Sequence, residues 1–368
     1  MYFIALISKD ATLQQQIDSA VASLEPSLSL YNFADIPAFL NANLQPSMVI
    51  VDDISGQLSN ELLQQVAVSH PQAIRVLCLP MMQDEQLIMQ LGAFHLFYSR
   101  TLSATQLSEL LFRPELLKQL PLPLHAVKAV LAAHHLPVAA PVAVQLQEML
   151  LDPDLAIEAL LPVVERDAVL SARLLQLANS PYMGFSRPTS SLEIAITRIG
   201  LNLVYGLVIT LAAADVEPDA PMPDWLLWSW HHARYSRQYA AAVGLSLELQ
   251  ELAFSCALLS GIGEAVLRAE PSADGLLQLS SAQISAVLMT VWGFSHHYVR
   301  PVLLQEVPWK ELSVVEEQVA AVLGIAATLC PAVKSLSRQE LSSAQLQSLP
   351  PNWQQALAGL QREVTHEL

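Results

Sequence analysis

Histidine is the side chain in this sequence best suited to metal binding or acid–base chemistry, and six of the ten histidines occur as neighbouring pairs. The pairs are His134 with His135, His231 with His232, and His296 with His297. Neighbouring positions on a helix point about 100° apart, so we expect that such a pair does not bind a metal from one face. The pattern therefore favours surface or hydrogen-bonded histidines over metal ligands.

The overall charge of the chain limits the partners that it can bind. Eighteen basic and 34 acidic residues give a net charge of −16. The excess is present in both parts, because residues 1–118 hold 5 basic and 11 acidic groups and residues 119–368 hold 13 and 23. An acidic surface repels phosphate backbones and anionic lipid headgroups, so we expect neither nucleic-acid nor membrane binding.

Three sequence features predict a cytoplasmic protein. Cys78, Cys256 and Cys330 are far apart and lack the spacing of a zinc or redox site, so reduced buried thiols are expected. The first ten residues have no basic region and no cleavage site. The longest uncharged apolar stretch, residues 201–214, is too short to span a bilayer.

Short apolar runs alternate with amphipathic segments over residues 1–118, which we assign to a first domain. The predicted strands are residues 2–7, 28–31, 47–52, 74–79 and 95–98, each followed by a predicted helix. This alternation predicts a parallel sheet with helices on both faces.

The (βα)5 order resembles a response-regulator receiver domain, with Asp52 at the end of the third strand, where receivers carry their phosphoacceptor. The resemblance also implies an acidic pair after strand one, a hydroxyl after strand four and a lysine after strand five. Those places hold Ser8 and Lys9, Leu79, and Ser99. Mg²⁺ needs several oxygen ligands, and Asp53 should point to the opposite face of the strand. We therefore expect a pseudo-receiver that serves as an interaction module, with Asp52 a solvated carboxylate rather than a phosphorylation site.

A proline-rich stretch, residues 119–135, is predicted to be a linker around a short connecting helix. Further along, residues 170–178 have the spacing of an amphipathic helix, with Arg173 and Gln176 facing water. Ser190 and Glu193 have the spacing of a capping box that opens the next helix.

The helix after Gly200, residues 201–214, is apolar on nearly all sides and should be buried. This succession of helices and breaks is similar to the core of the HDOD domain. The resemblance is carried by the run ARLLQLANSPYMG at residues 172–184, by Arg187 and Pro188, by Ser190 and Ser191, and by Ile199, Gly200 and Leu201. The HDOD family is related to HD-type phosphohydrolases, lacks their metal site, and occurs in bacterial signalling proteins. The resemblance implies an all-helical domain, placed at residues 136–330, followed by a C-terminal tail at 331–368.

Hydrolysis of the HD type needs a His, a tandem His–Asp and a distal Asp, which together hold a metal that activates water. His232 matches the first His, but Ser260 and Gly261 stand where the tandem pair should be. Neither can replace an imidazole or a carboxylate as ligand. The resemblance therefore implies a vestigial pocket at His232, Ser260 and Gly261, with no catalytic residue, no metal and no cofactor.

Aromatic residues near this pocket have two interpretations. Trp225, Trp228 and Trp230 have helical spacing and are typical of a core, although they would also suit stacking on a nucleotide base.

These features predict a non-enzymatic bacterial signalling adaptor whose partners, by resemblance, are other proteins of two-component or cyclic-dinucleotide pathways. The candidate interaction loop comprises Asn179, Ser180, Tyr182, Arg187 and Pro188, with a fixed core-closing loop as the competing interpretation. One alternative is a ligand-gated sensor that binds a nucleotide or another small molecule in the vestigial pocket. A second is a residual metal-dependent phosphodiesterase, and a homodimer is compatible with each function.

Overall fold

The N-terminal domain is a five-stranded parallel sheet with strand order β2-β1-β3-β4-β5. Its strands are β1 Tyr2–Ile7, β2 Leu28–Phe33, β3 Met48–Asp52, β4 Ile74–Leu79 and β5 Leu96–Ser99. Its helices are α1 Ala11–Ser23, α2 Ile36–Asn41, α3 Asn60–Ser69, α4 Asp84–Met89 and α5 Ala104–Gln119. Strands β3 and β4 are buried along their whole length, which explains why they read as continuous apolar runs. The predicted (βα)5 receiver-like sheet is confirmed.

The computed structural model describes residues 2–23, 28–81, 84–133, 136, 138–152, 155–212, 221–269, 276–307, 314–330 and 343–367. Beyond α5 the regular elements of the described residues are helices, and an isolated parallel bridge joins Val138 to Ala212. The helices are α6 Leu124–Ala132, α7 Ala140–Met149, α8 Ile157–Val164, α9 Ala168–Ala178, α10 Leu192–Ile199, α11 Leu201–Leu211, α12 Asp224–Ala242, α13 Leu247–Leu259, α14 Ile262–Ala269, α15 Ser281–Val291, α16 His296–Leu304, α17 Val315–Leu329, α18 Ser343–Ser348 and α19 Pro351–Glu367. The predicted all-helical second domain is confirmed.

Two segments outside the predicted helical domain pack against it. In the predicted linker, α6 buries Ala126, Val127 and Val130 and contacts α15. In the predicted tail, α19 packs on α12 and α17, and the Tyr239 hydroxyl donates a hydrogen bond to the Trp353 carbonyl at 2.9 Å. The helical core therefore extends beyond residues 136–330 on both sides.

Local details differ from the predicted helix starts and faces. Helix α10 is capped by Ser191, whose hydroxyl accepts from the backbone N–H of Ile194 at 3.3 Å, and not by Ser190. The Ser190 carbonyl instead accepts from the Ser255 hydroxyl at 2.6 Å. Gly200 does end α10, with φ of 78°, and the chain bends by 102° into α11. Helix α11 is not buried on all sides, since Ile209 is exposed.

Helix α9 corrects the prediction that Arg173 and Gln176 face water, because each is only 3% exposed. The Arg173 guanidinium lies 4.0 Å from the centroid of the Trp292 ring and donates to the Gln176 side-chain oxygen at 2.8 Å. The Gln176 amide in turn donates to the carbonyl of His95, beside β5, at 2.8 Å. The polar face of α9 is thus enclosed between the two domains, where hydrogen bonds and a cation–π contact satisfy most of its polar groups. Among the described residues Nε of Arg173 has no hydrogen-bond partner.

Further contacts hold the two domains together as one apolar core. Helix α11 packs on α4, and a Cβ added at Gly206 would lie 2.6 Å from the Ile88 side chain. Helix α5 packs on α15, with Arg113 donating to the carbonyl of Thr290 at 3.2 Å. The receiver-like domain is therefore fixed on the helical domain.

One helical stretch among the described residues, Leu247–Ala269, is long and apolar enough to cross a membrane. However, 83% of the most apolar window of this stretch is buried inside the protein. Such burial is typical of a core helix in a soluble fold.

Trp292→Ala should strongly destabilise the protein, because it removes the ring that covers the buried Arg173 guanidinium and leaves a cavity. We expect a loss of about 3–5 kcal/mol in the free energy of unfolding, measured by denaturant titration. Trp292→Phe keeps a ring over the cation and should cost clearly less. Trp230→Ala, at a half-buried ring over Arg234, is the control and should cost about 1 kcal/mol or less. Equal losses for the two alanine variants would contradict the interface described here.

Candidate functional site

The receiver-like domain places its polar residues at the carboxyl edge of the sheet, around Asp52. The Asp52 side chain is 0% exposed. One of its oxygens accepts from the Ser8 hydroxyl at 2.7 Å, and the other accepts from Nε of Arg100 at 2.8 Å. The same guanidinium donates to Asp10 at 2.6 Å. A single arginine therefore bridges two carboxylates.

This geometry corrects the expectation that Asp52 is a solvated carboxylate. Sequence reasoning missed Arg100 and Asp10 because it looked for a cation at Ser99 and for acidic residues at 8 and 9, one position earlier in each case. Both residues lie within three positions of a predicted strand end, but their pairing joins parts of the chain that are 90 residues apart. Asp53 points elsewhere, as predicted, and accepts from the backbone N–H groups of Gln57 and Leu58 at 3.1 Å each.

The residues at this edge do not fit the Mg²⁺ ion that the receiver resemblance implies. Mg²⁺ needs carboxylate oxygens that are free to coordinate it. Here the Arg100 guanidinium lies on both carboxylates and supplies the positive charge itself. Hydrogen bonds to Asp52, followed by the charges of Asp52 and Asp10, raise the pKa of Arg100. Burial, together with the Asp52 charge, raises the pKa of the neighbouring Cys78 thiol to about 12, so the thiol stays protonated.

The helical domain brings together two of the three residues predicted for the vestigial pocket. His232 is fully buried on α12, and its Nε2 lies 2.9 Å from the carbonyl oxygen of Leu323 on α17. Its Nδ1 lies 3.5 Å from the hydroxyl of Ser260, which donates to the Ala257 carbonyl at 2.7 Å. Burial lowers the pKa of His232 to about 4. The imidazole is therefore neutral at pH 7 and faces protein atoms on both nitrogens.

Gly261, the third residue of this pocket, lies tight against α12. A Cβ at this position would be 2.0 Å from Oγ and 2.8 Å from Cβ of Ser229. An aspartate there, as the HD metal site requires, would force Ser229 to move. Because Ser260 and Gly261 offer no ligand and the His232 nitrogens are both directed at protein atoms, the residues present do not fit the HD-type metal.

A cavity of about 200 Å³ adjoins Ser260 and Gly261. Its lining includes the carboxylates of Glu264 and Glu306. This volume lies below the range of about 300–1,000 Å³ that is usual for ligand pockets, and the carboxylates disfavour a phosphate.

The predicted interaction loop divides into a buried part and an exposed part. Ser180 and Tyr182 are buried, with hydroxyls that donate to the receiver-like domain at Phe97 O (3.3 Å) and Pro80 O (3.4 Å). For these two residues the expected exposure is wrong. The Asn179 side chain closes the loop through two hydrogen bonds to the backbone of Thr189, at 2.7 and 2.9 Å.

Arg187 and Pro188 form the exposed part of the loop. Pro188 lines a groove of about 590 Å³ between α8, α10 and α13. We call this the acidic groove, and its walls are Leu161, Glu165, residues 188–194, Arg237, Leu247, Glu248, Glu251 and Phe254. Four glutamates and one arginine give it a net negative charge.

Arg237 forms the floor of the acidic groove. Its guanidinium covers the Phe254 ring at 3.8 Å and pairs with Glu165 and Glu251 at 3.4 and 3.3 Å. Glu193 and Glu248 are exposed at the rim, beside the exposed apolar side chains of Ile194 and Leu247. The rim thus offers both negative charge and apolar surface.

The three tryptophans predicted near the vestigial pocket lie on α12. Trp225 is buried in the core, and the Trp228 ring lies 4.8 Å from the His232 ring.

His134 and His135 lie outside the described residues. His296 and His297, however, both contact Glu316, which contradicts the prediction that adjacent histidines do not share a face. They are the first two residues of α16, where no preceding helical turn restricts their side chains.

The structure therefore combines a receiver-like parallel sheet with a helical domain that packs against it. Residues 136–274 of the chain match the HDOD domain family. No curated protein matches the chain.

Three solved structures show similarity to parts of the chain. The MmoQ response regulator from Methylococcus capsulatus str. Bath is 20% identical, with a TM-score of 0.44 over 61% of this chain and 92% of that one. A virulence factor from Campylobacter jejuni subsp. jejuni is 18% identical, with a TM-score of 0.44 over 56% and 80%. A Shewanella amazonensis SB2B protein with the provisional name phosphohydrolase is 22% identical, with a TM-score of 0.26 over 70% and 93%.

Arg100→Ala should destabilise the receiver-like domain, because it leaves the buried Asp52 charge with only the Ser8 hydroxyl. We expect a loss of about 1–3 kcal/mol in the free energy of unfolding, measured by denaturant titration. Adding Asp52→Asn to Arg100→Ala removes the unpaired charge and should restore part of this loss. Arg166→Ala, at an exposed arginine, should change little. A double variant less stable than Arg100→Ala would show that Asp52 does not depend on Arg100.

Acid should destabilise the protein through His232. Its pKa is about 4 in the folded chain and about 6.5 in the unfolded chain, so only the unfolded chain binds the proton between these values. The stability that the neutral His232 contributes is fully present above pH 6.5 and is lost as the pH falls towards 4. The loss in the free energy of unfolding reaches roughly 2 kcal/mol at pH 5. His232→Gln, which keeps an N–H for Leu323, should show a shallower decline in the free energy of unfolding from pH 7 to 5. Burial also lowers the pKa of His70. Because both proteins keep His70, the difference between their two declines contains only the effect of His232. Identical declines would contradict the burial of a neutral His232.

Proposed function

We propose that this protein is a non-enzymatic regulator of bacterial signal transduction that acts by binding a partner protein. The observation that carries the proposal is the closed state of the His232 pocket. Its imidazole is directed at Leu323 and Ser260, and Gly261 has no room for a carboxylate. Hydrolysis by a bound metal has no ligand set there.

The acidic groove supports binding of a partner with basic and apolar side chains. Glutamates outnumber arginines by four to one in its lining, and the net charge of −16 over the chain adds a long-range attraction for cations. Exposed Ile194 and Leu247 provide apolar contacts at the rim. The partner that fits is a protein segment carrying lysine or arginine beside leucine-like residues.

The receiver-like domain supports a structural role in this proposal. Arg100 already neutralises Asp52 and Asp10, so the edge of the sheet holds a fixed charge arrangement without a metal. Two-component or cyclic-dinucleotide pathways remain the circuits suggested by resemblance. A cytoplasmic setting agrees with three buried free cysteines.

The nucleotide-sensor alternative has less support. The cavity beside Ser260 is about 200 Å³ and carries Glu264 and Glu306, which repel phosphate. It would require a saturable thermal shift with one nucleotide that His232→Ala abolishes.

The groove predicts selective binding of a basic amphipathic peptide. A fluorescent 18-residue helix-forming peptide of lysine and leucine should bind the full-length protein, whereas its glutamate–leucine analogue should not, as measured by fluorescence anisotropy. Glu193→Lys combined with Glu248→Lys reverses two rim charges and should weaken binding at least about tenfold. Glu61→Lys combined with Glu363→Lys makes the same change in net charge at exposed sites elsewhere and should have a much smaller effect.

Equal weakening by the two double variants would contradict the groove as the binding site. The non-enzymatic part is tested separately with bis(p-nitrophenyl) phosphate and added Mn²⁺. Turnover that His232→Ala abolishes would overturn it.

A further inference from the structure

A cluster outside both sites described above brings together two imidazoles and one carboxylate. His296 Nε2 and His297 Nδ1 lie 3.1 and 2.9 Å from the same oxygen of Glu316. The three ligand atoms are within 4.8 Å of one another, and no other such group of three occurs in the parts of the chain that the structure describes. The histidines begin α16 and Glu316 lies in the first turn of α17.

We propose that His296, His297 and Glu316 bind a divalent transition-metal ion. Two imidazole nitrogens and one carboxylate oxygen are a ligand set suited to Zn²⁺, Ni²⁺ or Cu²⁺ rather than to Mg²⁺ or Ca²⁺. In a tetrahedral zinc site with bonds of about 2.0–2.2 Å, donor atoms lie roughly 3.3–3.5 Å apart. The two contacts to the Glu316 oxygen, at 3.1 and 2.9 Å, would lengthen by a few tenths of an ångström, and water completes the coordination.

The exposure of the two imidazoles allows the change of tautomer that metal binding requires. In the metal-free state the two nitrogens that face Glu316 carry hydrogens, because they contact an acceptor. The imidazole side chains are 63% and 60% exposed, so the opposite ring nitrogens can hold the proton in water.

The cluster is separate from the vestigial pocket. Glu316 precedes Leu323 by seven residues on α17, which is about 10 Å along the helix axis. A bound ion would join the first turns of α16 and α17 without touching His232. The proposal does not depend on the proposed signalling function.

The test is a calorimetric titration of chelator-treated full-length protein with Zn²⁺, with a thermal shift as second readout. We expect one ion per chain and a raised melting temperature. Glu316→Gln and His297→Ala should each weaken binding at least about tenfold and lose the shift. His125→Ala, at another exposed histidine, and His232→Ala should leave both readouts unchanged. Circular dichroism at 222 nm checks that each variant is folded.

Absence of saturable binding, or binding that survives both Glu316→Gln and His297→Ala, would overturn the site. Loss of binding only in His232→Ala would also overturn it. That last result would also contradict the proposed non-enzymatic function, because it would place the metal at His232. The other two results would contradict the metal site alone.

Discussion

The enclosure of helix α9 between the two domains is the constraint on which the rest of the structure depends. All eleven residues of this helix are buried, including the guanidinium of Arg173. Desolvation lowers the pKa of Arg173 to about 9, which shows how strongly the site disfavours a charge. The Trp292 ring and the Gln176 oxygen compensate for the lost water, and the Gln176 amide reaches His95. Because an unpaired buried charge is costly, these contacts favour one relative placement of the domains.

The charged cluster around Asp52 lies at the end of the strand that makes this interface. Strand β5 ends next to Arg100, which is held by Asp52 and Asp10. The carbonyl of His95, just before β5, accepts a hydrogen bond from Gln176 on α9. The carbonyl of Phe97, within β5, accepts one from the Ser180 hydroxyl. The arginine is therefore held at the end of a strand whose backbone the helical domain contacts.

Sequence reasoning predicted the elements well and the polar contacts poorly. Periodicity located the strands and most helices because burial dictates it directly. Periodicity predicts that a polar helix face is exposed to solvent, so it places Arg173 and Gln176 in water. In the structure a second domain covers this face. Arg100 and the pairing of His296 with Glu316 depend on residues far apart in the chain. No local pattern encodes such contacts. The expectation that Ser260 and Gly261 stand in place of the HD ligands rests on residue type alone and needs no contact between distant residues.

The loop after α9 connects the interface to the acidic groove. Ser180 and Tyr182 anchor one end of it to the receiver-like domain, while Pro188 and the residues after it line the groove. The two hydrogen bonds between Asn179 and Thr189 tie these ends together, so the loop cannot lengthen or shorten freely. Allosteric coupling requires two states that both sites distinguish. What this loop supplies is a short connection between the lining of the acidic groove and the backbone that holds the two domains together.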